Sequence, residues 1–409
     1  MPTLYNNQQP LRILIICNKM PYPSNDGGTI ATMNMIVGLA AQGNFVDVLA
    51  MQTHKHNFPT EKLSAELTQN IKWHSVWVDT NIKIGKLLKN LLFSNKPYNS
   101  ERFESQEFER KLILLLKNNY DIVQFEGLYL ASYIPTIRKH SKSSISMRAH
   151  NVEWQIWQRM AQTEHNPLRK IYKLILAKRI RKLETSTLQS IDILIPITQT
   201  DAKNLPFSKK ENMFVAPAGI EPQKFATSKT TDVKTLFYIG ALDWEPNQEA
   251  ILWFVQNVWN EIQPLHTDWA FHIAGRNAPT DFVEKIKQYP IIYDGQVPSA
   301  QEYIDKYNIM IVPLLSGSGM RIKIIEAMAH SRCVITTSIG AEGISAENGK
   351  HLLIGDTPDE LKELITKAIE NPDLTSQIAT NAFEFTNQKF NNRLIISNLD
   401  HFYKQWLLR

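Results

Sequence analysis

The sequence predicts an α/β protein built from two doubly wound domains. Short apolar runs rich in branched residues alternate with helical patterns, as in parallel sheets that are covered by helices on both faces. This alternation occurs twice, and a chain of 409 residues exceeds what one ordinary core holds. Glycine or charged residues follow most of the apolar runs, at the strand ends where open sheets bind ligands. We therefore expect two Rossmann-like domains that face each other across a central cleft.

Composition and charge narrow the class of protein. A hydrophobic content of 43% and a charged content of 21% are typical of a soluble globular protein. A net charge of +5 permits anionic ligands or an anionic membrane surface without requiring either. Cys17 and Cys333 lie in apolar runs and are expected to be buried free thiols in a reducing compartment, since no zinc-binding spacing is present. No run reaches the ~20 apolar residues of a membrane span, so we expect a cytoplasmic protein.

The first half of the chain is expected to form one parallel sheet. Its strands are predicted over residues 11–17, 45–50, 71–78, 120–125, 144–149, 191–197 and 213–216. Gly27 and Gly28 follow the first strand and a polar loop, and they open a helix over residues 29–41. Such a turn can bind a phosphate, although an ordinary structural turn is an equal alternative. The spaced third glycine of the dinucleotide fingerprint is missing, which disfavours a nicotinamide dehydrogenase.

Polar residues follow two further strands of the first half. Glu126 and Gly127 come after the strand at 120–125, and His150 comes directly after the strand at 144–149. Because ligands bind at the carboxyl ends of parallel strands, these residues are candidates for a site. A histidine with a purely structural role remains the alternative.

Two basic stretches could contact a membrane. Residues 82–93 carry Lys83, Lys86 and Lys89 among leucines and isoleucines, and residues 168–183 carry several cations and no acid. Either stretch could rest on anionic lipid with its apolar side inserted, or could be a solvated surface helix. Neither has the interleaved aromatic residues or the reading motif of a nucleic-acid binder.

The second half repeats the alternation. Strands are predicted over residues 236–239, 269–274, 291–293, 309–315 and 333–337. Helices are predicted over residues 247–262, 300–307, 358–369, 374–390 and 393–408, and another begins at residue 320. Trp253, Phe254 and Trp259 are expected to form a core face of the first of these helices. We place the domain boundaries at 1–218 and 219–390, with the helix at 391–409 completing the first domain.

The most informative stretch is PLLSGSGMRIKIIEAMA, residues 313–329. Gly317, Ser318 and Gly319 separate a buried strand from a helix and allow the backbone to approach a ligand closely. The amides at the start of that helix suit a phosphate, and Arg321 and Lys323 add positive charge. Glu326, one turn into the helix, can accept hydrogen bonds from two ribose hydroxyls. The alternative is a strand–loop–helix joint with a solvated charged face.

These motifs, read together, resemble the retaining glycosyltransferases of family 4, which have the GT-B fold. The resemblance rests on the Gly-Gly loop, RAHNVE around His150, APAGIEPQKF, YIGALDWEPN, HIAGRN, DGQVPS, residues 313–329 and TTSIGAEGI. It covers nearly the whole chain, is most specific in the second half, and is greatest for bacterial enzymes that build surface polysaccharide or lipid-linked glycan. It implies transfer of a sugar from a nucleotide-diphosphate sugar to a glycan or lipid-linked acceptor, with no cofactor.

The resemblance also implies roles for individual residues. His150 would lie beside the transferred sugar, while Arg321 and Lys323 would neutralise the departing diphosphate with help from the amides of residues 317–319. Glu326 would hold the ribose. The remaining substrate-binding candidates are Gly27, Gly28, Glu126, Gly240, Gly275, Arg276, Val297, Gly317, Ser318, Gly319, Glu342 and Gly343.

Two departures from the family pattern affect these assignments. Ser318 stands where many members carry a glutamate that contacts the donor sugar, so the sugar cannot be inferred from it. The stretch GALDWEPN, beginning at Gly240, lacks the usual arginine and lysine, which makes the diphosphate more dependent on Arg321 and Lys323. No Asp-x-Asp occurs in the chain, so no bridging metal is indicated. Two other functions remain open: a nucleotide-sugar epimerase of the same fold, and a catalytically silent nucleotide-sugar-binding subunit.

Overall fold

A computed structural model of the chain describes residues 9–24, 26–162, 164, 166–221, 234–317 and 319–409. The chain divides into two compact units. The first unit comprises Met1–Gly219 together with Asn392–Arg409, and the second comprises Ile220–Asn391. These bounds differ by one residue from those expected from the sequence.

The first unit is built on a parallel six-stranded sheet in the order β3-β2-β1-β4-β5-β6. The strands other than the edge strand β3 are buried on both faces, which is why their sequences are largely apolar instead of alternating. The strands are β1 (Arg12–Cys17), β2 (Phe45–Gln52), β3 (Ile71–Trp77), β4 (Ile122–Glu126), β5 (Ser144–Ala149) and β6 (Ile193–Pro196).

The second unit has the same strand order. Its parallel sheet has the order β12-β11-β10-β7-β8-β9, so that later strands are added on both sides of its first strand, β7. Each sheet is therefore doubly wound with the 3-2-1-4-5-6 order of dinucleotide-binding folds. The strands are β7 (Thr235–Ala241), β8 (Ala270–Arg276), β9 (Ile292–Gly295), β10 (Ile309–Val312), β11 (Cys333–Thr336) and β12 (Leu353–Ile354).

Helices cover both faces of each sheet. In the first unit they are α1 (Gly27–Ala41), α2 (Ala65–Thr68), α3 (Ile84–Phe93), α4 (Tyr98–Glu101), α5 (Gln106–Leu116), α6 (Ile134–His140), α7 (Glu153–Gln162), α8 (Pro167–Ser190) and α9 (Gln199–Asn204). In the second unit they are α10 (Glu245–Phe254), α11 (Asn260–Ile262), α12 (Thr280–Ile286), α13 (Ala300–Asp305), α14 (Ile322–Ala329), α15 (Pro358–Glu370) and α16 (Pro372–Lys389). The last helix, α17 (Asn392–Leu407), returns to the first unit.

Helix α17 is part of the core of the first unit. Its residues Ile396, Leu399 and Tyr403 are at most 1% exposed and lie in the cluster between the sheet and α1. At Gly38 of α1 the two helices approach so closely that an added Cβ would lie 2.7 Å from Cγ1 of Ile396. No side chain fits there, which explains a glycine in the middle of a helix despite its low helix propensity.

Most predicted elements are present, and three differences have simple physical causes. Residues 213–216 are not a regular strand. The amides of Phe214 and Ala216 donate to the carbonyls of Leu194 and Pro196, but Pro196 has no amide hydrogen to donate in return, so only an isolated bridge between Met213 and Leu194 remains. The helix predicted over residues 247–262 ends at Phe254, and a π-helical turn (Val255–Trp259) follows it. Strand β12 has only two residues, too few to leave a periodic pattern.

The predicted burial of several side chains is confirmed. Phe254 and Trp259 are fully buried, and Trp253 packs partly buried against the same core. Cys17 and Cys333 are buried free thiols. None of the helices within the described ranges is both long and apolar enough to cross a bilayer.

Candidate functional site

Several of the candidate residues lie at the point where each sheet reverses its strand order. In a doubly wound sheet, two neighbouring strands at this point send their chains to opposite faces, which opens a crevice at their carboxyl ends. In the second unit these strands are β7 and β10, followed by Gly240 and by residues 313–321. In the first unit they are β1 and β4, followed by the Gly27 loop and by Gly127.

The loop between β10 and α14 has the backbone that the sequence predicts. Gly317 has a φ of 120° and Gly319 a φ of 80°, values that side-chain-bearing residues rarely adopt. Ser318 lies outside the described residues. Arg321 occupies the N-cap position of α14 and offers no side-chain acceptor to the helix amides. Its guanidinium turns back over the loop, donating from Nη1 to the Gly319 carbonyl and lying 2.9 Å from where a Cβ on Gly317 would be. The loop therefore places a cation and a positive helix end together.

Lys323 is held by residues that the sequence analysis missed. Its Nζ donates to Tyr238 Oη at 2.6 Å and to Asn247 Oδ1 at 3.2 Å, and it lies 4.2 Å from the centre of the Tyr238 ring. Burial, with a smaller contribution from the Arg321 charge, lowers the pKa of Lys323 to about 7. The expectation of a solvated lysine is therefore wrong: its ammonium is partly buried among neutral groups that compensate its charge only in part.

Glu326 lies one turn further along α14. Burial raises the pKa of its carboxyl to about 7, and no described residue forms a hydrogen bond or an ion pair with that carboxyl. A carboxyl that is half-buried without a protein partner is costly, and such groups are typical of binding sites. Lys323 and Glu326 lie three positions apart on α14 but do not form an ion pair with each other.

Glycines in the neighbouring strands keep this region open. A Cβ on Gly240 would lie 2.8 Å from Tyr238 Oη and 3.1 Å from Lys323 Nζ, so a larger residue would displace the lysine. At Gly275 a Cβ would lie 2.2 Å from the Gly240 carbonyl oxygen, which gives this glycine a packing role in joining β8 to β7.

The remaining candidates of the second unit lie on loops and strand ends. Arg276 is the last residue of β8, and Val297 packs partly buried against the core below the β9 loop. Glu342 and Gly343 follow β11, and Gly343 has a φ of 83°.

In the first unit, His150 and Glu126 meet directly. His150 Nε2 lies 2.9 Å from Glu126 Oε2, and the same oxygen accepts from Thr32 Oγ1 at 3.1 Å and lies 3.7 Å from Arg148 Nη1. Burial alone would raise the pKa of Glu126, but Arg148 and His150 outweigh it and hold that pKa below its usual value. The carboxylate is thus ionised, paired and only 4% exposed.

Gly127 shapes the turn beside this pair. Its φ of 99° with a ψ of 166° is open almost only to glycine, and its amide donates to the Arg148 carbonyl at 3.1 Å. This turn ends β4 directly after Glu126, so the carboxylate is fixed at the end of the strand and within reach of His150.

The Gly27–Gly28 turn differs from the expected phosphate loop. Asp26 caps α1 by accepting from the amide of Thr29, and Lys19 Nζ lies 3.0 Å from its carboxylate. A carboxylate therefore already occupies the positive end of this helix. A cation that the sequence did not single out, Lys19, lies beside Gly28: a Cβ on Gly28 would be 3.4 Å from its Nζ.

The residues that sequence reasoning missed share one property. Tyr238, Asn247, Thr32, Arg148 and Lys19 support the candidate residues from other elements of the chain. Only Arg148 carried a local signal, since a charged residue inside an otherwise apolar strand must have a buried partner. Among the described residues, no group of three or more histidine, cysteine, aspartate or glutamate side chains could hold a metal ion.

Comparison with known proteins gives the second unit a family. Residues 233–371 match the family model described as Glycosyl transferases group 1. The second unit carries a group 1 glycosyl transferase domain. This domain contains Gly240, Lys323, Glu326 and the loop between β10 and α14, and it indicates that the chain is a glycosyltransferase.

Whole-chain comparisons extend the likeness to both units. A Klebsiella pneumoniae protein described as an uncharacterized 44.6 kDa protein in the cps region is 24% identical over 402 residues, which cover 95% of this chain and 98% of that protein. Sucrose-phosphate synthase from Thermosynechococcus elongatus superposes with a TM-score of 0.71 at 17% identity, covering 97% of this chain and 99% of that one. Anabaena HepE in complex with UDP-glucose superposes with a TM-score of 0.65 at 13% identity, covering 95% and 98%. The predicted α/β fold of the GT-B glycosyltransferases is confirmed.

Proposed function

We propose that this glycosyltransferase is a retaining enzyme of family 4 that takes its sugar from a nucleotide-diphosphate donor. The proposal rests on one observation: Lys323 and Glu326 are both partly buried beside a glycine-rich loop, and the pKa of each is about 7. A diphosphate would give Lys323 a negatively charged partner, and ribose hydroxyls would donate hydrogen bonds to the Glu326 carboxylate. The UDP-glucose bound by HepE supports a donor of this class.

The first unit is proposed as the acceptor domain and the second as the donor domain. Arg321, Lys323 and the loop amides would stabilise the charge that develops on the leaving diphosphate, so no metal ion is required. Glu326 would fix the ribose, and His150 would contact the transferred sugar. The remaining substrate-binding candidates keep the roles that the family resemblance implies.

The acceptor is proposed to be a glycan or a lipid-linked glycan of the cell envelope. The relative in the Klebsiella pneumoniae cps region supports a role in polysaccharide biosynthesis. Such a role places the protein in the cytoplasm, peripheral on the inner face of the plasma membrane.

A surface on the first unit supports the membrane part of this proposal. Helix α3 and the residue before its N-cap expose Ile82, Ile84, Leu92 and Phe93 to between 65% and 82%. The first turns of α8 expose Leu168 and Ile171, and Arg179 of α8 donates to the carbonyls of Asn90 and Leu91 of α3. The two basic stretches therefore form one apolar and basic surface, which suits the interface of an anionic bilayer.

Liposome co-sedimentation tests the membrane proposal. Each lysine near an anionic surface adds about 1 kcal/mol of attraction, so replacing Lys83, Lys86 and Lys89 by glutamine is expected to abolish pelleting at low salt. Lys83→Gln alone is a matched control with a smaller expected effect, because Lys83 Nζ already pairs with Asp79 at 2.7 Å. Equal pelleting of the triple variant and the wild type would contradict the proposal.

Two measurements test the enzymatic proposal. Thermal shift against a panel of nucleoside diphosphates and their sugars should show stabilisation by at least one of them, since a ligand of the folded state raises its Tm. Release of nucleoside diphosphate should then require an acceptor and continue in the presence of a chelator. Sugar conversion without an acceptor would favour the epimerase, and binding without turnover on any acceptor would favour the silent subunit.

A further inference from the structure

A buried chain of hydrogen bonds runs through the first unit from the last helix to the candidate histidine. Tyr403 of α17 donates from its hydroxyl to Gln124 Oε1 at 2.7 Å. Gln124 Nε2 donates to Glu126 Oε1 at 2.6 Å, and Glu126 Oε2 lies 2.9 Å from His150 Nε2. Tyr403 and Gln124 are 0% exposed, whereas the His150 side chain is 20% exposed. This series of hydrogen bonds thus begins in the core and ends at a partly exposed histidine.

The direction of each bond follows from the chemistry of the groups. Glu126 is held ionised, so it can only accept, and both His150 Nε2 and Gln124 Nε2 must donate to it. The Gln124 carbonyl oxygen consequently faces Tyr403 and accepts a hydrogen bond from its hydroxyl. Ser146 Oγ, 2.9 Å from Tyr403 Oη, then donates to that oxygen. The donor and the acceptor of every hydrogen bond in this series are therefore fixed, so the series has a single arrangement.

This arrangement also orients the imidazole. With Nε2 donating to Glu126, the neutral ring carries its proton on Nε2, and Nδ1 has no bond to any residue in the described part of the chain. A histidine held by a carboxylate in this way keeps one tautomer and one ring orientation.

We infer that Tyr403 and Gln124 are positioning residues for His150, acting through Glu126 and without touching substrate. The inference rests on the proposed role of His150. It adds that the last helix of the chain, separated from His150 by the whole second unit in sequence, is part of the catalytic apparatus of the first unit. Loss of the Tyr403 hydroxyl would free the Gln124 amide to turn, and an amide oxygen turned toward Glu126 would repel it.

Three other charged or titratable groups lie near this series of hydrogen bonds. Arg148 donates to the Ala31 carbonyl at 2.8 Å and lies beside Glu126. Glu153 at the start of α7 interacts electrostatically with His150, and Cys17 of β1 lies next to Glu126. None of these groups is bonded to Tyr403 among the described residues. Tyr403 does interact electrostatically with Arg148 and Glu126. The path of hydrogen bonds from its hydroxyl to His150 runs through Gln124 and Glu126.

The test compares two tyrosine-to-phenylalanine variants. Tyr403→Phe removes the first donor of the chain. Tyr120→Phe is the control, because Tyr120 is also buried in the first unit but donates to Asp47 at 2.5 Å and does not contact Glu126. We expect Tyr403→Phe to lower kcat about tenfold with the donor KM within a factor of two, since about 1.4 kcal/mol of positioning is a tenfold change in rate. We expect Tyr120→Phe to leave both unchanged.

A second readout separates positioning from general damage. With His150 labelled and assigned by its loss in His150→Ala, NMR of the ring nitrogens should show the single Nε2-protonated tautomer in the wild type and a mixture of tautomers in Tyr403→Phe, because a less well bonded Glu126 no longer fixes the proton on Nε2. Gln124→Met breaks the chain at the next link and should act in the same direction if Tyr403→Phe does not fold.

The outcomes distinguish this inference from the proposed function. Equal kcat or an equal His150 tautomer distribution in the two phenylalanine variants would overturn the inference. A wild-type rate in His150→Ala would instead refute the catalytic role of His150, while the tautomer distribution would still report whether the hydrogen bonds hold the ring.

Discussion

The polar clusters of the two units differ in how far the protein itself satisfies them. Glu126 in the first unit accepts three hydrogen bonds and lies beside an arginine, so its pKa is held low. Glu326 in the second unit has no partner among the described residues, and burial raises its pKa to about 7. The buried glutamate that ends β4 and the half-buried glutamate on α14 thus have opposite electrostatics.

If the proposed function is correct, the protein itself completes the first cluster, whereas a bound nucleotide would complete the second. A fully bonded network gives one geometry and orients His150 without help from substrate. A lysine and a glutamate with pKa values near 7 instead carry less than full charge in the empty protein, and a bound nucleotide would restore it. The first cluster should therefore govern turnover, and the second should govern both donor binding and stabilisation of the leaving group.

The largest expected effect is at Lys323. Charge on the diphosphate grows as the glycosidic bond breaks, so Lys323→Met should lower kcat by two to three orders of magnitude, about 3–4 kcal/mol, with a much smaller loss of donor affinity. Steady-state kinetics with the donor identified by thermal shift measures both. Lys234→Met, which removes an exposed lysine of the same unit paired with Asp268, is the control. Full activity in Lys323→Met would end the phosphate interpretation of the loop.

The next effect is at His150 and isolates the first cluster. His150→Ala should lower kcat by about a hundredfold, the scale of one lost transition-state contact, while nucleoside-diphosphate affinity stays within a factor of a few. Kinetics and calorimetric titration on the same preparation separate the two quantities. A parallel loss of nucleotide affinity would show that the division between the two clusters is wrong.

Glu326 tests the opposite half of the comparison. Glu326→Ala should weaken nucleoside-diphosphate binding by about 2–3 kcal/mol, because it removes a charged acceptor of two ribose hydroxyls. A deoxyribose analogue should then lose little further affinity in the variant, although it binds the wild type more weakly. If variant and wild type bind the diphosphate equally, Glu326 does not hold the ribose.

The smallest effect concerns stability and pH. Burial lowers the pKa of Lys323 from its usual value of 10.5 to about 7. The unfolded chain therefore binds more protons between these two pH values, and the folded state gains stability as pH rises from 7. Lys323→Met lacks this gain. Between pH 7 and pH 9 the Tm of the wild type should rise relative to that of the variant by roughly 4–8 °C, as expected for about 2 kcal/mol. Parallel pH dependences would mean that the lysine is solvated after all.

The fold was readable from the sequence because its signals are local. The strand over residues 144–149 and the helix beginning near Pro358 follow from runs of neighbouring residues, and the structure places β5 and α15 there. The glycine turn at residues 317–319 was also readable, since positive φ angles require glycine.

The supports of the site were not readable because they join distant parts of the chain. Tyr403 is separated from Gln124 by 279 positions, and Lys323 from Tyr238 by 85. Nothing in a tyrosine on an amphipathic helix distinguishes a hydrogen-bond donor from an ordinary core residue. The local sequence likewise gave Lys323 a solvated environment, because the burial that changes its pKa comes from β7 and α10.

The return of α17 to the first unit has a consequence for the order in which the molecule can form. Every residue of the second unit, Ile220–Asn391, leaves the ribosome before the helix that fills the core beside α1. Domains usually fold in the order of their synthesis, but here the second unit can close its core while the first still lacks Ile396, Leu399 and Tyr403. The N-terminal unit of this chain is therefore the last to be finished, and a nonsense mutation near codon 392 would damage it and spare the unit that precedes the stop.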